Sequence, residues 1–167
     1  IHNVANTDIL FGIDDTAVVK LARLFNEPAG RALLCDRGVA EEEVSRLDLL
    51  GFSGICNLIA SIKFAKYYEL GRGDVLLTCL TDSMELYRSR LEEMRASQGE
   101  YTDLEAAADY SRYLEGIGTD LLQELTYLDR RRIHNLKYFT WVEQQDRQSE
   151  ELKAQWYDRD YWGSFQR

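Results

Sequence analysis

Proline is nearly missing from this chain, which has one, Pro28, in 167 residues, and histidine is almost as scarce, with only His2 and His134. So few imidazoles leave no basis for a Ser-His-Asp or Cys-His catalytic arrangement. His134 also stands beside Arg130, Arg131 and Arg132, where a metal cation would meet other cations, and no cysteine or carboxylate cluster has ligand spacing. That arginine trio is expected to pair with acidic surface or a neighbouring subunit rather than with phosphate. Cys35, Cys56 and Cys79 lack the paired spacing of zinc and redox motifs, so they read as reduced core residues of a cytoplasmic protein. No apolar run approaches the roughly 20 residues of a membrane span. The N-terminus does not resemble a signal peptide, and neither internal repeats nor low-complexity segments occur.

What is present is a chain of one-domain size, 45% hydrophobic and 29% charged, as expected of a soluble globular fold. Its 29 acidic and 20 basic side chains give a net charge of -9. Such a field repels phosphate backbones and anionic lipid, which argues against nucleic-acid and membrane partners. The chain opens on Ile1-His2-Asn3 without an initiator Met, so a piece of a longer protein is expected.

Segment "NTDILFGI" has strand composition, and Asp14-Asp15 can cap a helix carrying Val18, Leu21, Ala22, Leu24 and Phe25 at helical spacing. Pro28 and Gly30 should end or bend it. After a polar stretch, Gly51-Phe52-Ser53-Gly54 precedes a helix with Ile55, Leu58, Ile59, Ile62 and Ala65 on one face. Lys63 and Lys66 read there as a solvated face with snorkelling stems. Residues 74–80, "DVLLTCL", are continuously apolar, as a strand covered on both faces would be. A further helix follows, with Leu86, Leu91 and Met94 as core candidates. This alternation predicts part of a parallel α/β layer. Beyond about Ser97 the composition shifts, with helices expected over 102–115, 119–145 and 149–157 in an aromatic-rich tail that covers its own domain or a neighbouring subunit. The expected division is therefore residues 1–98 and residues 99–167.

Ligands in open α/β sheets bind at the carboxyl ends of strands. Two features arrive at such places: the Gly51-Phe52-Ser53-Gly54 turn at a helix start, and Thr81-Asp82-Ser83 after the apolar run. Each also has a plain structural reading. Ser53 suits a helix N-cap and Gly51 a tight turn; Asp82 or Ser83 can cap the helix that begins near residue 84, with Glu85 close enough to join a capping box.

Taken together, the stretch "GFSGICNLIASIKFAKYYELGRGDVLLTCLTDSMELY" resembles the late part of the large domain of fold-type II pyridoxal-phosphate enzymes, the cysteine synthase and cystathionine beta-synthase group. Members have a Gly-x-Ser-type turn opening a helix, then an apolar strand ending in a Pro-Ser or Pro-Asp-Ser segment, with a Tyr four residues after that serine. Here those positions are Gly51 and Ser53, residues 74–80, Thr81-Asp82-Ser83, and Tyr87. Thr81 departs from the family's proline, and Phe52 and Ile55-Cys56-Asn57 make the turn bulkier. The tail from about Gly99 is absent from cysteine synthases and is similar to that of a longer, cysteine synthase-like beta-subunit branch.

The resemblance implies a partial three-layer parallel sheet of the tryptophan synthase beta-like fold followed by a helical extension. It implies pyridoxal 5'-phosphate as cofactor, with Ser83 hydrogen-bonding its pyridine nitrogen, Gly51 and Ser53 lying along its ring, and Asp82 beside them at the helix start. A neutral donor at that nitrogen fits beta-elimination or beta-replacement on a small amino acid by a cytoplasmic homodimer. The family's cofactor-linking lysine and phosphate-binding loop both precede the matching region, and no Gly-rich loop is present here. This chain would then carry no catalytic residue of its own and act only as part of a longer lyase or synthase. Alternatives are a non-catalytic acidic assembly module and a degenerate subunit that retains the fold.

Overall fold

The computed structural model describes residues 3–166, with side chains through Ser164; His2 lies outside them. The molecule is mostly helical, at 65%, with one small antiparallel sheet. Two compact units form: Phe11–Leu121, and the residues up to Leu10 together with those from Leu122 onward. The compositional boundary at residues 98 and 99 falls inside the larger unit.

In the larger unit, α1 spans Asp15–Asn26, and Asp14 caps it by accepting the Thr16 N–H at 2.9 Å. Its expected inward face, Val18, Leu21, Ala22, Leu24 and Phe25, is buried throughout. Helix α1 stops at Asn26 because Pro28 can only begin a helix, and it occupies the first position of α2, Pro28–Asp36. Gly30 lies inside α2 rather than ending a helix. A Cβ there would sit 2.0 Å from the Leu24 carbonyl oxygen, so glycine lets the two helices meet. Short α3, Glu41–Ser45, falls in the expected polar stretch and buries Val44. Helix α4, Phe52–Tyr67, presents Ile55 and Ile59 to the core, with Leu58 and Ile62 partly buried against it. Helix α5, Arg88–Gln98, follows a 3-10 turn over Met84–Tyr87. Leu91 and Met94 join the core as expected, but Leu86 is exposed and Met84 is buried in its stead. The 3-10 turn shifts the phase between Met84 and α5, which a single 3.6-residue period does not anticipate. Helix α6, Asp103–Tyr110, begins at a Thr102/Glu105 capping box and runs into a π-helical turn, Ser111–Glu115.

A buried polar network ties α1 to the chain beyond α5. Arg23 has no exposed surface; it donates to the Gln98 amide oxygen at 3.2 Å and the Gly99 carbonyl at 2.9 Å, and lies 4.8 Å from the Tyr101 ring centroid. Its Nε has no hydrogen-bond partner but stands 3.7 Å from the Glu27 carboxylate. Glu27 in turn accepts from Arg95 at 3.0 Å.

The expected strand over 74–80 does not form. Those residues have no regular secondary structure, and Val75 and Leu77 are 90% and 95% exposed. A buried parallel strand needs neighbours on both edges and cover on both faces. Among the described residues nothing supplies them, and the expected parallel layer is not present. The sheet that does form pairs β1, Ile9–Phe11, with β2, Leu122–Glu124. Strand β2 interrupts what the sequence suggests is helix from 119, because cross-strand pairing overrides the helical composition of "DLLQEL".

The smaller unit contains α7, Tyr127–Lys137, started by a Thr126/Asp129 capping box, and α8, Ser149–Tyr157, which coincides with its expected span. His134 is buried, its Nε2 lies 2.9 Å from the Leu152 carbonyl oxygen, and its ring lies 5.1 Å from that of Trp156. Arg130 pairs with Asp8 at 2.7 Å, and Arg131 donates to the Tyr157 hydroxyl at 3.0 Å. Tyr127, Tyr138, Phe139 and Tyr157 keep much of their surface exposed. No helix among the described residues is long and apolar enough to cross a membrane.

Candidate functional site

The two segments singled out in the sequence meet at the start of α4. Gly51 is the residue before the helix and its N–H donates to the Asp82 carbonyl at 3.0 Å. A Cβ on Gly51 would lie 2.6 Å from the Asp82 Oδ1 and 3.0 Å from its carbonyl oxygen. Only glycine therefore allows this approach. One turn into α4, Asn57 donates from its amide to the Cys79 carbonyl at 2.9 Å, so residues 79–82 are held along the first turns of that helix.

Asp82 sits at the centre. Its carboxylate accepts from the Tyr87 hydroxyl and, at 3.2 Å, from the Thr81 hydroxyl. The hydrogen bond from Tyr87 to Asp82 is the main cause that raises the phenol above its ordinary pKa, with desolvation and the carboxylate's charge adding to it. Tyr87 also packs edge-on against Phe52, with ring centroids 4.9 Å apart. The bulky Phe52 thus becomes a wall for the Tyr87 ring. Ser83 precedes the 3-10 turn, and its side chain makes no capping bond. Its hydroxyl is free of the local competition that usually occupies a serine at a helix start.

Ser53 departs from its plain reading. Gly51 holds the N-cap position without any side-chain cap, and Ser53 is the exposed second residue of the helix. The helix begins two residues earlier than a serine cap requires because Gly51 must stay against Asp82. Of the two lysines, Lys66 is exposed as expected and Lys63 is not. Lys63 is buried, bonded to the Asp120 carbonyl at 2.8 Å and carboxylate at 3.1 Å, and Lys66 reaches the carbonyls of Glu115 and Ile117. Both clamp the segment after α6. Neither the Asn57 anchor nor the Lys63 clamp is legible locally, since their partners lie 22 and 57 residues away. The cysteines are free thiols; Cys56 is part-buried against the core, as expected, but Cys35 and Cys79 are exposed and are not core residues.

A concavity of 980 Å³ lies elsewhere, beside Glu27, Arg95 and Tyr101, and includes none of Gly51, Ser53, Asp82 or Ser83. It is a broad hollow over an ion pair. The closer packing around Gly51 and Asp82 carries more chemical information than that volume. Among the described residues, no group of three His, Cys, Asp or Glu side chains could hold a metal ion. No protein-family model, curated protein or solved structure matches this chain.

Proposed function

We propose that this chain is the C-terminal portion of a pyridoxal-phosphate-dependent lyase or synthase that carries out beta-elimination or beta-replacement on a small amino acid. The observation that carries the reading is the contact between Gly51 and Asp82, which brings the glycine turn against the segment that contains Ser83, a serine with no capping bond. In this reading these residues would form one side of a site for a flat heteroaromatic cofactor. Bound pyridoxal phosphate supplies an electron sink for carbon–hydrogen and carbon–heteroatom cleavage. Gly51 would let backbone lie against the ring, with Ser53 on the exposed first turn of α4. Asp82 is held by Tyr87 and Thr81, which leaves Ser83 to hydrogen-bond the ring nitrogen. A neutral hydroxyl does not force a proton onto that nitrogen as a carboxylate would. The cofactor-linking lysine and the phosphate loop would come from the rest of the polypeptide. So would the sheet that takes in residues 74–80. The same reading carries a cytoplasmic homodimer.

The test is an absorbance spectrum of the full-length protein that contains this chain, purified without added cofactor. A band near ~415 nm, lost on borohydride reduction and weakened by Ser83→Ala, is expected. A protein that stays colourless when supplied with pyridoxal phosphate would sink the reading. The alternative, a non-catalytic assembly module or degenerate subunit, is favoured by one observation: the exposed apolar run at 74–80 presents unsatisfied surface whatever the chemistry.

A further inference from the structure

We propose that a pocket of 190 Å³ between the start of α1, the middle of α4 and the segment after α6 binds a small zwitterionic amino acid. It lies apart from Gly51 and Ser83 and stands without the cofactor reading. Two cations reach it from different sides. Lys63 is 6% exposed, and its ammonium has three N–H donors, of which the Asp120 carbonyl and carboxylate take two. A buried ammonium is stable only when paired and fully hydrogen-bonded, so its remaining donor favours an acceptor in the pocket. Arg112 is exposed at the rim, with its guanidinium 5.2 Å from the Tyr113 ring centroid. It forms no ion pair or hydrogen bond among the described residues, in a chain with 29 acidic side chains. Arg112 also sits on the π-helical turn, Ser111–Glu115, a wide turn of the kind that recurs at functional sites.

The rest of the lining selects the ligand. Asp14 and Asp120 are the acidic residues of the lining, their carboxylates accepting from the Thr16 N–H and from Lys63, and Ile59 and Ile117 are apolar ones. A simple anion would face both acids, and a simple cation would face Lys63 and Arg112. An α-amino acid carries both signs two bonds apart. Its carboxylate matches the fork of Arg112 and the free donor of Lys63, its ammonium matches Asp14 and Asp120, and a short side chain meets the isoleucines. The volume is below that of drug-sized pockets and suits a ligand of few atoms.

The experiment titrates the isotopically labelled 167-residue chain with glycine, L-serine and L-valine, and separately with acetate and methylamine, following the amides of Gly116, Ile117, Gly118 and Asp120. Saturable shifts with at least one of the three amino acids are expected, with affinity about tenfold above that for acetate or methylamine. Arg112→Gln, at an exposed position that leaves the fold intact, should weaken binding about fivefold. Lys63→Met should abolish it, but also loosens the Asp120 clamp, so Arg112→Gln decides. The proposal is overturned if none of the three amino acids saturates, if acetate binds as tightly as they do, or if Arg112→Gln binds unchanged.

Discussion

The Tyr87 hydroxyl donates to the Asp82 carboxylate, and that carboxylate packs where a side chain on Gly51 would be. Three residues from two separate segments thus depend on one another. Tyr87 should ionise at higher pH in the native chain than in Asp82→Asn, because the variant loses the bond that holds the phenol protonated. A spectrophotometric tyrosine titration near ~295 nm measures this. Identical curves for the two proteins would mean that the bond is not made in solution.

Gly51→Ala should destabilise the larger unit by about 1–3 kcal/mol, the range for forcing added atoms into a filled space. Ser53→Ala, at an exposed position without a capping role, should change stability by less than about 0.5 kcal/mol. Urea denaturation of both variants separates the two positions. Equal, small effects would show that the Asp82 carboxylate can swing aside freely.

Tyr101 is buried and donates to the Asp109 carboxylate at 3.0 Å, and Lys20 lies 3.7 Å from the same group. Burial first, and the charge of Asp109 next, push the phenol well above its ordinary range. A raised folded-state value means that this contribution is fully present below about pH 10 and is lost as pH rises beyond it. Tyr101→Phe should cost about 1.5–3 kcal/mol at neutral pH, as for a hydrogen bond to a charged group. It should also remove this phenol's share of the alkaline loss of stability. Denaturation curves at neutral and alkaline pH would contradict this if the variant lost stability as steeply as the native chain.

Burial holds His134 below the ordinary imidazole pKa, with the Leu152 carbonyl opposing and Lys137 reinforcing that shift. The sign is that of a depressed basic group: stability is present above about pH 6.5 and declines as pH falls below it, since the unfolded state protonates first. Trp156 fluorescence should report the loss, and His134→Gln should flatten it. An unchanged acid limb in the variant would place the sensitive group elsewhere.

Cys35 and Cys79 should react with a thiol reagent faster than Cys56, whose thiol is pushed up by burial and by Asp15. In the full-length protein Cys79 should slow by about tenfold or more relative to Cys35, if the rest of the polypeptide takes residues 74–80 into a sheet. Mass-spectrometric mapping of labelling gives both rates. Equal Cys79 reactivity in the chain and the full-length protein would remove sheet insertion from the proposed function.

The inward faces of α1 and α4, the end of α1 before Pro28 and the span of α8 were all legible, because each follows from local periodicity or backbone restriction. Residues 74–80 were not, since an apolar run states a need for neighbours without saying whether they are present. The pairing of Gly51 with the 81–83 segment was anticipated only as a resemblance in order and spacing. That Tyr87 holds Asp82, leaving Ser83 without a capping bond, required the three-dimensional contact. The burial of Lys63 was hidden for a similar reason: a mid-helix lysine looks solvated until a distant loop is brought over it.

Arg23 connects α1 to Gly99 across 76 residues of sequence. Loop closure over that span is slow compared with helix formation, and its entropy must be met before the contact returns anything. During synthesis, α1 therefore leaves the ribosome with Glu27, four residues on, facing the Arg23 guanidinium, and the Gln98 and Gly99 acceptors follow 75 and 76 residues later. The hydrogen bonds of this side chain are therefore completed only after the chain has grown past Gly99.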